Sequence, residues 1–207
     1  MRWFSWRKRD EVVGDAAQGS AGAFAVVLEL LQVAAISLAI IIPVRYFLVQ
    51  PFYVKGASME PNFFDHEYLI IDELSYRLRE PIRGDIVVFK YPNDPKQFFI
   101  KRVIGLPNET VEVANGVVRV YNDEHPNGFF LDEDGYLDQD FTAGTLTMTL
   151  KADEYFLMGD NRSSSLDSRI FGPVKREAVV GRVWLRGYPI DRWKHFEAPL
   201  YPQPAQP

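Results

Sequence analysis

The sequence predicts a mostly β protein, an antiparallel barrel or sandwich behind a single apolar N-terminal helix. Three observations predict it. One apolar stretch runs from Ala21 to Leu48, densest between Leu30 and Val44. Beyond Pro51 the chain breaks into short runs rich in β-branched and aromatic residues, divided by turn signals. No long amphipathic helical pattern interrupts those runs.

Residues 1–20 form a short tail with Arg2, Arg7, Lys8 and Arg9, followed by a polar Gly/Ser/Ala stretch. Residues 21–49 are long enough to span a bilayer core, which needs about 20 apolar residues in a helix. Glu29 and Gln32 weaken the signal, but both lie in its N-terminal third, within reach of the headgroups. Pro43 is expected to kink the last turns, and Arg45 to reach back to the interface. Two other readings compete. A cleaved leader would have small residues after its core, whereas bulky Arg45-Tyr46-Phe47-Leu48 follows here. A buried helix of a soluble protein would better tolerate Glu29 and Gln32. An uncleaved anchor in the cell membrane is the expectation. The basic tail puts the N-terminus in the cytoplasm and residues 50 onward outside.

Residues 50–197 are expected to form the β domain. Strands are predicted at Glu67–Glu73, Asp85–Tyr91, Gln97–Ile104, Thr145–Leu150, Tyr155–Met158 and Ala178–Leu185. Thr110–Ala114 and Val117–Tyr121 flank Asn115-Gly116, the strongest short hairpin signal. Leu74–Arg79 can form one helical turn. Residues 122–144 are acidic and turn-rich; the Asp spacing suggests a calcium loop, but the glycine comes too early for one. That segment is taken as a solvated excursion. Residues 198–207, rich in Pro and Gln, are expected to be disordered.

Composition excludes several chemistries. The chain has no cysteine, so disulfides, thiolate zinc sites and a cysteine nucleophile are all absent. Its three histidines lie far apart with no metal-ligand spacing, and neither metal nor cofactor is expected. A formal net charge of −5 argues against nucleic acid as a partner.

Three clusters carry candidate chemistry. In Gly56-Ala57-Ser58-Met59-Glu60-Pro61, glycine frees the backbone and proline fixes the chain just after a serine. Alone, such a segment is usually only a turn. In Phe99-Ile100-Lys101-Arg102-Val103-Ile104, Lys101 and Arg102 point to opposite faces of an apolar strand. Lys101 either snorkels from a sheet edge or sits buried with a lowered pKa, able to take a serine proton. The third cluster, Gly159-Asp160-Asn161-Arg162-Ser163-Ser164-Ser165-Leu166-Asp167-Ser168-Arg169, is either a surface loop or an ordered polar network.

Together the clusters resemble the boxes of type I signal peptidases, and Arg83-Gly84-Asp85-Ile86-Val87 resembles an intervening strand motif of that family. The resemblance runs from the anchor to about Trp184. It implies a serine endopeptidase in which Ser58 attacks the scissile carbonyl and Lys101 takes its proton. It implies that Ser165 orients the lysine, that Ser58 and Gly56 face the oxyanion, and that Met59 lines the substrate cleft. Arg102 with Asp160, and Asp167 with Arg169, would be supporting ion pairs. Some members place a serine where this chain has Gly56, which leaves the second oxyanion donor open, and Asn108 stands where a glycine is usual. Substrates would be secreted preproteins with small residues at the first and third positions before the cut. Two rivals remain. A catalytically silent, anchored β module that binds secreted proteins would need Ser58 or Lys101 lost or displaced. Self-cleaving repressors share the chemistry but open with a DNA-binding region.

Overall fold

The computed structural model describes residues 15–43, 50–137, 141–199 and 201. The chain divides into two compact units, residues 1–46 and 47–207. In the first, helix α1 spans Asp15–Pro43. Its Phe24–Ile42 stretch has a mean hydropathy of 2.5, with its side chains uncovered. At 1.5 Å per residue a helix of 29 residues is about 43 Å long, more than the hydrocarbon core of a bilayer requires. The basic tail residues and Arg45 lie outside the described residues.

The second unit is mostly β. Strands β1 (Gln50–Tyr53) and β2 (Tyr68–Asp72) bracket the first candidate cluster. A four-residue helix α2 (Ser75–Leu78) then leads into the hairpin β3 (Ile86–Tyr91) and β4 (Asp94–Gly105). Next come β5 (Thr110–Ala114), β6 (Val117–Tyr121), β7 (Phe129–Phe130) and β8 (Leu146–Thr149). Strand β9 (Glu154–Met158) enters the third cluster, which ends in helix α3 (Ser168–Phe171). Short β10 (Val174–Lys175), long β11 (Val179–Tyr188) and β12 (Lys194–His195) complete the unit.

The strands form two antiparallel sheets. The larger has the order β1-β2-β11-β3-β4-β9-β10, with β12 also on β11; the smaller has the order β7-β6-β5-β8. Each predicted strand is present within a few residues, β4 and β11 being longer than expected. Asn115 and Gly116 both take positive φ, 53° and 87°, as the two-residue hairpin between β5 and β6 requires. Asn108 takes φ 65°, a left-handed conformation that asparagine adopts more readily than most residues, so it serves where glycine is usual.

Strand β4 is the common wall of the interior. Its Ile100 packs on one apolar cluster with Val54, Met59, Phe63 and Leu69. Phe99 and Val103 join a second with Phe89, Tyr155 and Leu157, and Ile104 a third with Val111, Val120 and Phe156. Lys101 and Arg102 therefore sit in a strand fixed from several directions.

Two segments are better packed than their composition suggests. Within 122–144, Leu131, Tyr136, Leu137 and Thr142 are buried; residues 138–140 lie outside the described residues. In the C-terminal tail, Tyr201 packs against the third cluster and Pro199 lies against Gly84.

Candidate active site

The turn that carries Ser58 is pinned at both ends. Val54 N–H donates to the Glu67 carbonyl at 2.8 Å, and His66 N–H to the Val54 carbonyl at 3.1 Å. Inside the turn, Phe63 N–H donates to the Met59 carbonyl, and both side chains lie in the apolar core. Burying two large side chains on one short segment fixes its path, because a packed core tolerates little displacement. Met59 is only 1% exposed, so it anchors the turn from beneath where the sequence led us to expect a cleft-lining residue. Gly56 has φ 88°, and its N–H donates to Asp65 Oδ1 at 3.0 Å.

Lys101 lies in β4 opposite Val87 of β3 and is 3% exposed. Its Nζ donates to Ser58 Oγ at 2.6 Å and to the Ile100 carbonyl at 2.8 Å. The hydroxyl's partner is an amine and not a histidine. Burial pushes the Lys101 ammonium down to about 8, against the smaller upward pull of Asp167 and Asp160. A neutral amine at hydrogen-bond distance from a serine hydroxyl can accept its proton, which is the geometric and electronic requirement for activating that nucleophile.

The third cluster closes over the Ser58 turn. Asn161 N–H donates to the Ser58 carbonyl and Asn161 Nδ2 to the Ala57 carbonyl, both at 3.1 Å. Asp160 holds Arg102 through two bonds, Nε to Oδ1 at 2.8 Å and Nη2 to Oδ2 at 2.7 Å. Arg102 also donates to the Gly84 carbonyl at 3.1 Å. Asn62, four residues past Ser58, donates to Asp160 Oδ2 at 2.8 Å. The buried pair thereby joins β4 to the Ser58 turn. Asp167 and Arg169 are likewise bidentate, at 2.9 and 2.8 Å. Asp167 caps α3 and accepts from Gly159 N–H at 3.1 Å; Arg169 foremost among its neighbours holds that carboxyl below its usual range, against burial.

Ser165 is close to these groups without bonding to the lysine. Its Oγ is buried and meets no partner at hydrogen-bond geometry; from a looser approach it only helps hold the Asp167 carboxyl down. The hydroxyl packs on Gly159, where a Cβ would stand 2.2 Å from it and 2.4 Å from the Ser58 carbonyl oxygen. The second acceptor that orients Lys101 is its neighbour's backbone carbonyl. The structure thus brings Ser58, Lys101, Gly56, Ser165, Arg102, Asp160, Asp167 and Arg169 to one region. Asn161 and Asn62 belong there too. Asn161 had a signal, its place inside the polar run; Asn62 had none.

A small cavity of about 50 Å³ is lined by Phe52, Val54, Leu69, Val88, Phe98 and Ile100, among others, and the Ile100 carbonyl is the one that accepts from Lys101. A larger cavity, about 580 Å³ beside Arg83, Glu109 and His125, includes neither Ser58 nor Lys101.

Comparison with known proteins places the chain in a family. Residues 27–188 match the family model described as signal peptidase, peptidase S26. A probable signal peptidase I-2 of a Synechocystis species is 39% identical over 171 residues, covering 80% of this chain and 75% of the relative. The signal peptidase I P of Bacillus subtilis subsp. natto is 34% identical over 174 residues, covering 82% of this chain and 93% of the relative. A crystal structure of a signal peptidase I from Enterococcus faecalis V583 is 33% identical with a TM-score of 0.42, covering 51% of this chain and 97% of that one. The chain belongs to the signal peptidase family, peptidase S26, and is a serine endopeptidase.

Proposed function

We propose that the chain is a membrane-anchored endopeptidase that removes N-terminal signal peptides from secreted preproteins through a Ser58–Lys101 dyad. The observation that carries the proposal is the 2.6 Å contact between Lys101 Nζ and Ser58 Oγ at a lysine only 3% exposed. Neutral Lys101 takes the Ser58 proton as Oγ attacks the scissile carbonyl carbon. The resulting oxyanion is held by the Ser58 backbone N–H, since Gly56 N–H is already committed to Asp65. Such a donor is typically worth about 3 kcal/mol of transition-state stabilisation. Lys101 then protonates the leaving amine, the acyl-enzyme forms, and a water activated by the same amine releases the signal peptide. Asp160–Arg102 and Asp167–Arg169 act as supporting pairs that hold the framework.

The substrate reading rests on the cavity beside Ile100. A space of about 50 Å³ fits a small apolar side chain and rejects bulk sterically, which favours small residues before the cut. The basic N-terminal tail supports an N-in anchor with the β domain outside. The test is cleavage of a preprotein by the full chain in detergent or lipid. Ser58→Ala and Lys101→Ala should each lower turnover by at least about 1,000-fold without unfolding the domain. Full activity in Lys101→Ala would overturn the mechanism.

A further inference from the structure

The acidic segment 122–144 is not consumed by the mechanism above, yet one of its residues touches both halves of the dyad's support. Tyr136 is 8% exposed. Its ring lies under the Arg102 guanidinium, 3.9 Å from centroid to Cζ, and Arg102 follows Lys101 directly in β4. The backbone carbonyl of Tyr136 accepts from Asn62 Nδ2 at 2.7 Å, and Asn62 closes the turn that carries Ser58. One residue therefore holds the base's strand by its ring and the nucleophile's turn by its carbonyl.

Tyr136 is itself held from outside. Its hydroxyl donates to Glu133 Oε1 at 2.7 Å and accepts from the Tyr201 hydroxyl at 3.1 Å. Glu133 is bound by Arg162 Nη1 at 2.7 Å, and Arg162 Nε donates to the Gly159 carbonyl at 3.1 Å. Arg162 Nη1 also donates to Thr142 Oγ1 at 2.6 Å. The described part of the segment is thus stitched to the third cluster through two buried cationic side chains, Arg102 and Arg162.

We infer that Tyr136 is a positioning residue for the dyad, acting through its ring and its backbone carbonyl, with the described part of the acidic segment as its backing. The inference rests on the Ser58–Lys101 reading and deepens it. The physical reason lies in Arg102. Its guanidinium has an in-plane set of partners in Asp160 and Gly84, and the Tyr136 ring covers one face. Removing the ring uncovers a face of a buried cation and admits water beside the 101–102 peptide. Asn62 then loses a fixed acceptor, and the Ser58 turn can shift relative to Lys101. A displacement near 1 Å at a reacting group costs about 100-fold in rate, so a small shift is enough.

The test compares Tyr136→Phe with Tyr136→Leu in the full chain, using a preprotein substrate and a full pH profile. Phe keeps the ring and the carbonyl and should stay within about 3-fold of wild type in kcat. Leu keeps apolar bulk but not the ring face; kcat should fall about 10- to 100-fold with KM little changed. Water beside Lys101 also restores solvation of its ammonium, so the rising limb of the Leu profile should move to higher pH. A lowered melting temperature with kcat and limb unmoved would make Tyr136 merely structural and overturn the inference. If Leu unfolds the domain, Tyr136→Met is the second variant; if that also unfolds below the assay temperature, the positioning role fails. Full activity of Lys101→Ala would fail the dyad reading instead, whereas an inactive Lys101→Ala beside an unaltered Tyr136→Leu fails this inference alone.

Discussion

Asn161 holds Ser58 by its backbone, its N–H donating to the Ser58 carbonyl at 3.1 Å while its side-chain Nδ2 donates to the Ala57 carbonyl. The backbone around Ser58 is thereby held by one residue, while the Ser58 hydroxyl bonds to Lys101. Two of these contacts are made by separable groups. Substitution at Asn161 leaves the backbone bond and removes only the side-chain one.

Asn161→Ala should therefore lower kcat about 10-fold, equivalent to roughly 1.4 kcal/mol, with a stability loss of about 1 kcal/mol. Asn161→Asp should be worse. It places a carboxylate against the Ala57 carbonyl, so an attraction becomes a repulsion between two acceptors. Steady-state cleavage of a preprotein by the three proteins gives the order. An aspartate variant as active as wild type would show that the Ala57 contact does not hold the nucleophile.

Gly159 is a place where a single methyl group should be decisive. A Cβ there would stand 2.2 Å from Ser165 Oγ and 2.4 Å from the Ser58 carbonyl oxygen. The serine hydroxyl can rotate away, but its Cβ at 2.6 Å cannot, and the carbonyl belongs to the backbone of Ser58 and cannot move without moving that residue. Gly159→Ala is expected to lower single-turnover cleavage by about 100-fold or more, at about 1–3 kcal/mol of stability. Adding Ser165→Gly, which removes both the hydroxyl and the Cβ that would stand 2.6 Å away, should recover little, because the clash with the Ser58 carbonyl persists. Substantial recovery in the double variant would place the damage at Ser165 instead.

Much of this arrangement was legible in the sequence because its physics is local. Strand patterning and the Asn115-Gly116 turn are short-range signals, and β2 to β6 follow them. Strand β1 was not foreseen: Gln-Pro-Phe-Tyr carries no alternation, and its proline suits the sheet edge where β1 lies. Strands β7, β10 and β12 are two residues each, too short for any period to register. The site divides similarly. Ser58 and Lys101 stood out through motifs, but Asn62 and Tyr136 are joined to Asp160 and Arg102 only by chain contacts spanning 98 and 34 positions. Nothing in a linear pattern marks an asparagine that must reach a carboxylate so distant in sequence. Met59 is the reverse case, a motif residue whose side chain belongs to the core.

The lowered pKa of Lys101 makes two measurable consequences with a common sign. The proposed mechanism needs the neutral amine, so kcat/KM for preprotein cleavage should rise with pH through about 8. Stability is linked to the same proton. The unfolded chain holds a lysine that titrates at its ordinary value of 10.5, the folded chain one that titrates at about 8. Between those values the unfolded state binds more protons, so stability should increase as pH rises from about 8 toward 10.5, and be lost as pH falls back through 8. Lys101→Met removes the titrating group while keeping a long apolar stem. It should be inactive, more stable than wild type near pH 7 by an amount on the order of 1–3 kcal/mol, and without that pH slope. Denaturant midpoints of the two proteins between pH 7 and 10 provide the measurement. A slope shared by both proteins would assign it to another group, and a wild-type chain more stable than the methionine variant at pH 7 would mean that Lys101 is not held against its own solvation.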